Sequence, residues 1–375
     1  MKFQIEKAKL LSSLNMVFSA IPTKATIQVL QNFAFRLEGN VLEIRATDLD
    51  LGIRVKIEVQ GESDGAVIIN ARKLLDLVKS LIDPKIENIS IEAVDYLVTV
   101  RWSARGKASI TGFDESDFPP LPNVTDGGSF QLGKSELEFL AGKTIFAVSA
   151  DQTRMSLNGV FVESKDGKLI MVATDGHRLG KSFIDLENSS LEKGVIVPPK
   201  AIQYALKSVP DEATIEVRIS DTYILFASEG VQIISKLIEG PYPKYESVIP
   251  TRFDRNVQVN RTDLFNKITT VISMANARTK LIRFQIDGNQ MELSANDSSV
   301  GGDSTEAISV THEGEGVFSI GFNGSFLLEV LKLCQSDEVV FKMNGPVSAC
   351  IIEPVGSDIN SMFLLMPLRL VDEQS

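Results

Sequence analysis

The chain has 375 residues, 43% apolar and 23% charged, and its 38 lysines and arginines against 49 aspartates and glutamates leave a formal net charge of −11. That length exceeds what one core usually serves, and the composition is that of an ordered globular protein rather than a disordered one. No apolar run approaches the roughly 18 residues needed to span a bilayer, and MKFQIEKAKL reads as a strand entering a helix rather than a signal peptide, so a cytoplasmic protein is expected.

Alternation predicts a strand over 3–5, apolar spacing a helix over about 7–18, and a loop, IPTKATIQ, then carries Lys24. Alternating strands over 33–37, 41–46 and 52–59 are separated by the turn signals Glu38-Gly39-Asn40 and Thr47-Asp48-Leu49-Asp50, which together read as an antiparallel meander. A strand over 67–69 enters a second helix, NARKLLDLVKSLI, with Asn70 as its N-cap and Leu74, Leu77, Val78 and Leu81 on one face. Strands over 89–92, 97–102 and 107–111 follow, and the proline-rich Phe118-Pro119-Pro120-Leu121-Pro122 suits a linker.

This order is written three times. FQIEKAKLLSSLNMVFSAI, FQLGKSELEFLAGKTIFAV and VQVNRTDLFNKITTVISMA start at residues 3, 130 and 257, steps of 127. Leu10, Leu137 and Leu264 share one repeat position and Phe18, Ile145 and Ile272 another eight residues later, which predicts that both lie on a buried helical face. Ala46-Thr47-Asp48, Ala173-Thr174-Asp175 and Ala295-Asn296-Asp297 mark one turn, and Phe118, Tyr242 and Met366 one closing position in steps of 124. The second copy has its second helix in PPKAIQYALKSV, the third in NGSFLLEVLKLC. The expectation is an α+β chain of three domains, 1–122, 128–250 and 251–375, each with two helices packed on antiparallel sheet.

The six predicted helices together carry +7 and the remainder −18. Opposite signs on helices and sheets predict helices that face one electropositive space, the footprint of a phosphate-bearing partner. Enzymatic readings find little. His177 beside Asp175 and Arg178 is the one seed for acid–base chemistry, without a partner group, and no phosphate-binding loop, HExxH or GxSxG is present. Two histidines and two cysteines scattered singly do not make a zinc site; Cys334 and Cys350 lie in apolar surroundings and are expected as buried free thiols. No catalytic residue, metal or cofactor is expected. A scaffold of three repeats that binds only proteins and does not encircle DNA is the alternative reading, and it would need no basic helices.

ATDLDLG from Ala46, DFPPLP from Asp117, ATDGHRLG from Ala173, PYPKYESVIP from Pro241 and MPLRL from Met366 to Leu370, with MKF at the start, resemble the bacterial sliding clamp family, the beta subunit of DNA polymerase III, over the whole chain. The resemblance implies a head-to-tail homodimer, a closed ring of six similar domains whose helices surround duplex DNA, and an accessory subunit that tethers the replicative polymerase. The repeats themselves leave open whether three modules close alone, pair into a six-module ring or stay open.

By matching position the resemblance implies DNA contacts from Lys24, Arg72, Lys73, Lys79, Arg154, Lys200, Lys207 and Lys267, blind to sequence because a sliding protein meets phosphates rather than bases. Met155 and Ser156 depart from the aromatic pair of better-known members. It implies a partner-peptide pocket from Leu157, Thr174, Gly176, His177, Arg178, Leu179, Pro243, Val248, Val347, Ala349, Leu364, Met366, Pro367 and Leu368, with Arg369 at the rim; Ser247 replaces a basic residue found in some members. The peptide expected there carries one glutamine and two or three large apolar side chains. MPLRL reads at the same time as the last strand. The dimer contacts implied are Lys107, Ala108 and Ser109 on one side and Ser273, Met274 and Glu306 on the other. Polymerase, clamp loader and other proteins bearing the same peptide are the implied partners.

Overall fold

The computed structural model describes residues 1–24, 26–186, 189, 191–297, 301–356 and 360–370; the last five residues expected of the third repeat lie outside that set. Among the described residues the helices are α1 (Lys7–Phe18), α2 (Ala71–Ser80), α3 (Lys134–Gly142), α4 (Pro199–Ser208), α5 (Arg261–Val271) and α6 (Gly324–Leu333), two per repeat. None is long and apolar enough to cross a membrane.

Each repeat folds as two half-sheets, and every ladder among the described residues is antiparallel. In the first, Lys2–Glu6 pairs with Asn88–Val94, then Leu97–Arg101, then Lys107–Thr111; Gly65–Asn70 pairs with Asn32–Glu38, then Val41–Thr47, then Leu51–Glu58. A further strand, Gln60–Ser63, which alternation alone did not suggest, adds to the outer side of Lys2–Glu6. Half-sheets of neighbouring repeats then join edge to edge. Leu51–Glu58 pairs with Val231–Lys236 to make an eight-stranded sheet, and Arg178–Asp185 pairs with Ser361–Leu365 to make a nine-stranded one. What remains is a five-stranded sheet ending on Lys107–Thr111 and a four-stranded sheet ending on Gly302–Ser309.

These joints divide the chain into two compact units, one built mainly from Met1–Leu137 and Lys200–Leu237, the other mainly from Glu138–Glu187 and Ile238–Ser375. The middle repeat is shared between them. In the first unit α1 packs against α2 and across Val41–Thr47 and Leu51–Glu58. Leu10, Leu14 and Val17 are its fully buried apolar residues. In the second, α5 packs against α6 and buries Leu264, Ile268 and Val271.

Two expectations about these faces need correction. On α2 the buried stripe is Ala71, Leu74, Leu75 and Val78; Leu77, 100° around the helix from Val78, is only half-buried. Asn70 caps that helix as expected, accepting from the Lys73 N–H at 3.0 Å. Phe18, Ile145 and Ile272 are also half-buried, at the margin of the face that Leu10, Leu137 and Leu264 centre. In the middle repeat the α-helix stops at Gly142, and Ile145 lies in the separate turn Ile145–Ala147. Phe18 uses its margin to meet Phe33 edge-on at 6.3 Å and the Arg72 guanidinium at 4.7 Å. Cys334 and Cys350 are both buried, and burial pushes the Cys350 thiol well above its ordinary range.

Candidate functional site

In the second unit, Thr174–Arg178 forms a self-contained turn. Asp175 accepts from the N–H groups of His177 and Arg178 at 2.8 and 3.0 Å. The Thr174 hydroxyl donates to the Arg178 carbonyl at 2.7 Å and accepts from Gly176 N–H at 3.1 Å. Gly176 sits at φ +90°, a backbone region that favours glycine. The result leaves Gly176 and His177 exposed while Leu179, the next inward position, is buried.

Leu179 faces Leu364 across the joint, and Met366 extends the ladder by donating its N–H to the His177 carbonyl at 2.8 Å. The chain then leaves the sheet: MPLRL is not the last described strand, which ends at Leu365, because the ladder stops after the Met366 N–H and Leu368 makes an isolated bridge to Gly321. A proline has no N–H for a ladder. That departure is what exposes Met366, at 39%, beside the turn.

Leu179, Leu364, Ala349, Ile351, Ile170 and Tyr245 form one apolar cluster, the floor. Of the other residues expected there, Val248 and Val347 are 51% and 62% exposed, Pro243 and Arg369 are exposed, and Pro367 and Leu368 are half-buried. Leu157 is buried in the turn Met155–Leu157, and this turn is tied to the site because Arg154 donates to the Asp175 carbonyl at 2.9 Å while its Nε pairs with Asp151 at 3.2 Å. Arg178 is a strut rather than a free cation. It pairs with Asp175 at 3.1 Å and with Glu329, and its guanidinium lies 4.3 Å over Phe326 and 5.3 Å over Phe146.

Two tyrosines of PYPKYESVIP are absent from the expected pocket, which has Pro243 and Val248 from that segment, although Tyr242 marks the closing position of the second repeat. Tyr242 stacks on Phe161 at 4.8 Å, and Tyr245 donates to Glu163 at 2.5 Å. Burial pushes both phenols above their ordinary range, and the Glu163 carboxylate pushes Tyr245 further. The spacing Tyr-x-x-Tyr after a sheet strand was the available signal; what it could not convey is that the linker folds back beneath the turn. The arrangement offers an apolar floor and exposed apolar side chains in Met366, Val248 and Val347, which suits the docking of an extended peptide.

Of the basic residues expected at DNA, Lys24, Arg72, Lys73, Lys79, Lys200 and Lys207 are exposed in the first unit, Lys200 2.9 Å from Asp48. Arg154 and Lys267 lie in the second, and Lys267 is paired with Glu306 at 3.2 Å. The residues expected at a dimer contact lie along free edges: Lys107, Ala108 and Ser109 on Lys107–Thr111, Glu306 on Gly302–Ser309, with Ser273 and Met274 exposed in the turn Ile272–Met274.

Three tandem repeats, each two helices on paired antiparallel half-sheets that fuse with the next repeat, define a three-domain DNA clamp fold. Family models of the DNA polymerase III beta subunit match its N-terminal domain at residues 1–122, its central domain at 131–244 and its C-terminal domain at 246–369. The chain belongs to the DNA polymerase III beta subunit family. It is 30% identical to the beta sliding clamp of Pseudomonas aeruginosa over 99% of this chain and 100% of the relative, and 29% identical to that of Vibrio cholerae over the same shares. Among solved structures, the DNA polymerase III subunit beta of Pseudomonas aeruginosa superposes with a TM-score of 0.92 at 28% identity, and the DNA polymerase sliding clamp of Bacillus subtilis with 0.92 at 26%, each over 99% of this chain and 100% of the other.

Proposed function

We propose that the chain is a DNA polymerase processivity factor: a sliding clamp that closes as a homodimer around duplex DNA and holds the polymerase through the apolar pocket at Thr174–Arg178 and Met366–Leu368. One observation carries the closure. Leu51–Glu58, Arg178–Asp185 and Gly302–Ser309 are the same strand in the three repeats, as are Lys107–Thr111, Val231–Lys236 and Ser361–Leu365. The first of these sets joins the second twice inside the chain, at Leu51–Glu58 with Val231–Lys236 and at Arg178–Asp185 with Ser361–Leu365. The members left over, Gly302–Ser309 and Lys107–Thr111, are sheet edges, so the same joint made between two chains removes both edges and closes six repeats head to tail.

The exposed Lys24, Arg72, Lys73, Lys79, Lys200 and Lys207 then meet phosphates without reading bases, together with Arg154 and Lys267 once these exchange their carboxylate partners. The clamp contributes no bond-breaking chemistry; a clamp loader, polymerases and other proteins carrying a suitable peptide act on it in the cytoplasm, and two pockets per dimer supply avidity and let partners exchange. The test is retention on DNA. Loaded protein is expected to stay on nicked circular duplex and to be lost when the circle is linearised, and to sediment as a dimer at micromolar concentration. A strictly monomeric species, or equal retention on linear and circular DNA, overturns the reading.

A further inference from the structure

The turn that frames the candidate pocket has a twin in the first unit. The Thr47 hydroxyl donates to the Leu51 carbonyl and accepts from Leu49 N–H, both at 2.9 Å, and Asp48 accepts from the N–H groups of Asp50 and Leu51 at 3.1 and 2.7 Å. Lys236 N–H donates to the Asp50 carbonyl at 2.8 Å as Met366 N–H does to His177, and Ile234 faces Gly52 as Leu364 faces Leu179. Each floor takes side chains from a linker, Leu121 and Val124 here and Tyr245 there. Leu121 fills the space that Gly52 leaves, its Cδ2 lying 2.4 Å from where a Cβ would stand.

The twin is an open cleft. A cavity of about 310 Å³ is lined by Thr47, Leu49, Leu121, Tyr223, Ile234 and Lys236, among others. Leu49 stands where the second turn has Gly176, at φ +79°, and keeps its side chain 45% exposed. A leucine is sterically disfavoured in that backbone region, and such positions concentrate at ligand sites. Lys236 stands where the second pocket has Met366. It pairs with Asp50 at 2.9 Å, with 44% of one side chain and 79% of the other exposed. Pairs that exposed are weak, so a ligand carboxylate replaces Asp50 at little cost.

We propose that this cleft is a second binding site for extended apolar peptides, selective for one that places an acidic residue beside its apolar anchor. The inference rests on the peptide-pocket reading above. The anchor packs on Leu49, Leu121 and Tyr223, and the acidic residue meets Lys236. With a charged group in place of Met366, the cleft holds less apolar surface and binds more weakly than the pocket.

The full-length chain, titrated with a fluorescein-labelled synthetic pentapeptide of one glutamine, one aspartate, two leucines and one phenylalanine, is expected to take two peptides, the second at least tenfold more weakly. Met366→Ala with Leu368→Ala removes the tight phase and leaves the weak one. Adding Leu49→Asp, at an exposed position whose backbone aspartate tolerates better than leucine, removes the weak phase with an unchanged near-ultraviolet circular dichroism spectrum. Lys236→Ala, or lysine for aspartate in the peptide, weakens only the second phase. One peptide per chain in the wild type with none left after Met366→Ala and Leu368→Ala overturns the inference, as does a weak phase that survives Leu49→Asp. A tight phase indifferent to Met366 and Leu368, with a weak phase lost on Leu49→Asp, overturns the pocket reading and keeps this one; no binding at all overturns both.

Discussion

The two internal joints are the same pairing of strands and carry different chemistry on their two faces. At the first, Ile53 and Val55 lie with Val231 and Ile233 on one face, all buried, while on the other Arg54 reaches Gln232 at 3.0 Å. At the second, Gly180 and Ser182 lie with Phe363 and Leu365 on one face, where the Ser182 hydroxyl donates to the Leu140 carbonyl of α3 at 2.9 Å and Phe146 meets Phe363 edge-on. The opposite face is Leu179, Leu364, Lys181 and Met362. The helix-covered face of each joint is dry, because that is where two repeats become one core. The other face is released from that demand, and there the two joints diverge: at the first the apolar floor of Ile234 and Leu121 gives way along the strands to Arg54 and Gln232, while at the second Leu179 and Leu364 are followed by Lys181 and Met362.

Glycine substitutions break this comparison most sharply. A Cβ at Gly180 would stand 2.4 Å from the Lys143 carbonyl oxygen and 2.7 Å from the Phe146 ring, whereas a Cβ at Gly52 meets the end of the Leu121 side chain, which can turn away. Gly180→Ala is therefore expected to lower stability by roughly 1–3 kcal/mol, the usual range for overpacking. Gly52→Ala is expected to cost less, and paired denaturant melts that show equal losses would refute the distinction between backbone-walled and side-chain-walled contacts.

Next comes the outer face. Met366→Ala with Leu368→Ala removes half-exposed apolar groups, so peptide affinity is expected to fall at least about tenfold, some 1.4 kcal/mol, while the dimer and its melting midpoint stay close to wild type. Polymerase stimulation at the wild-type level in that variant would show that the pocket lies elsewhere. A smaller effect on stability is expected from Lys24→Glu, Lys200→Glu and Lys207→Glu together. These side chains are exposed, and surface changes of this kind usually stay within about 0.5 kcal/mol of neutral. DNA retention should nonetheless drop and its salt dependence flatten, and an unchanged salt series would count against these lysines.

The repeats, the helices and their order were legible in the sequence because period and spacing encode them directly: α1 and the strand Lys107–Thr111 fall on the residues the pattern selects. Stripe centres were less legible, since apolar spacing admitted Leu77 as readily as Leu75 and only packing against α1 and the sheet decides. The joints were not legible at all. Nothing in Val231–Lys236 says that its partner is Leu51–Glu58, nearly 180 residues away, because edge pairing depends on which strands end a half-sheet. The same holds for Arg178, whose sequence neighbours Asp175 and His177 suggested chemistry; its partners Glu329 and Phe326 come from a helix of the next repeat and make it structural.

The linkers supply the smallest test of the two joints. Leu121 floors the first cleft and Tyr245 the second, so only the second carries a buried phenol held by a carboxylate. In the folded chain burial keeps Tyr242 and Tyr245 protonated above the ordinary tyrosine value of 10, while the unfolded chain releases those protons near 10. The folded-state pKa values are raised, so the stability these groups contribute is complete below pH 10 and declines as pH rises beyond it. Absorbance titration is expected to show fewer than the five tyrosines of the chain ionising reversibly before the alkaline unfolding transition. Tyr242→Phe with Tyr245→Phe should move that transition to higher pH, since the unfolded state then has no proton to lose at these positions. Leu121→Ala, which lowers stability at every pH through the first cleft, should leave the pH dependence itself unchanged. Five tyrosines titrating together near pH 10 without unfolding would show that the second linker is not buried beneath its turn.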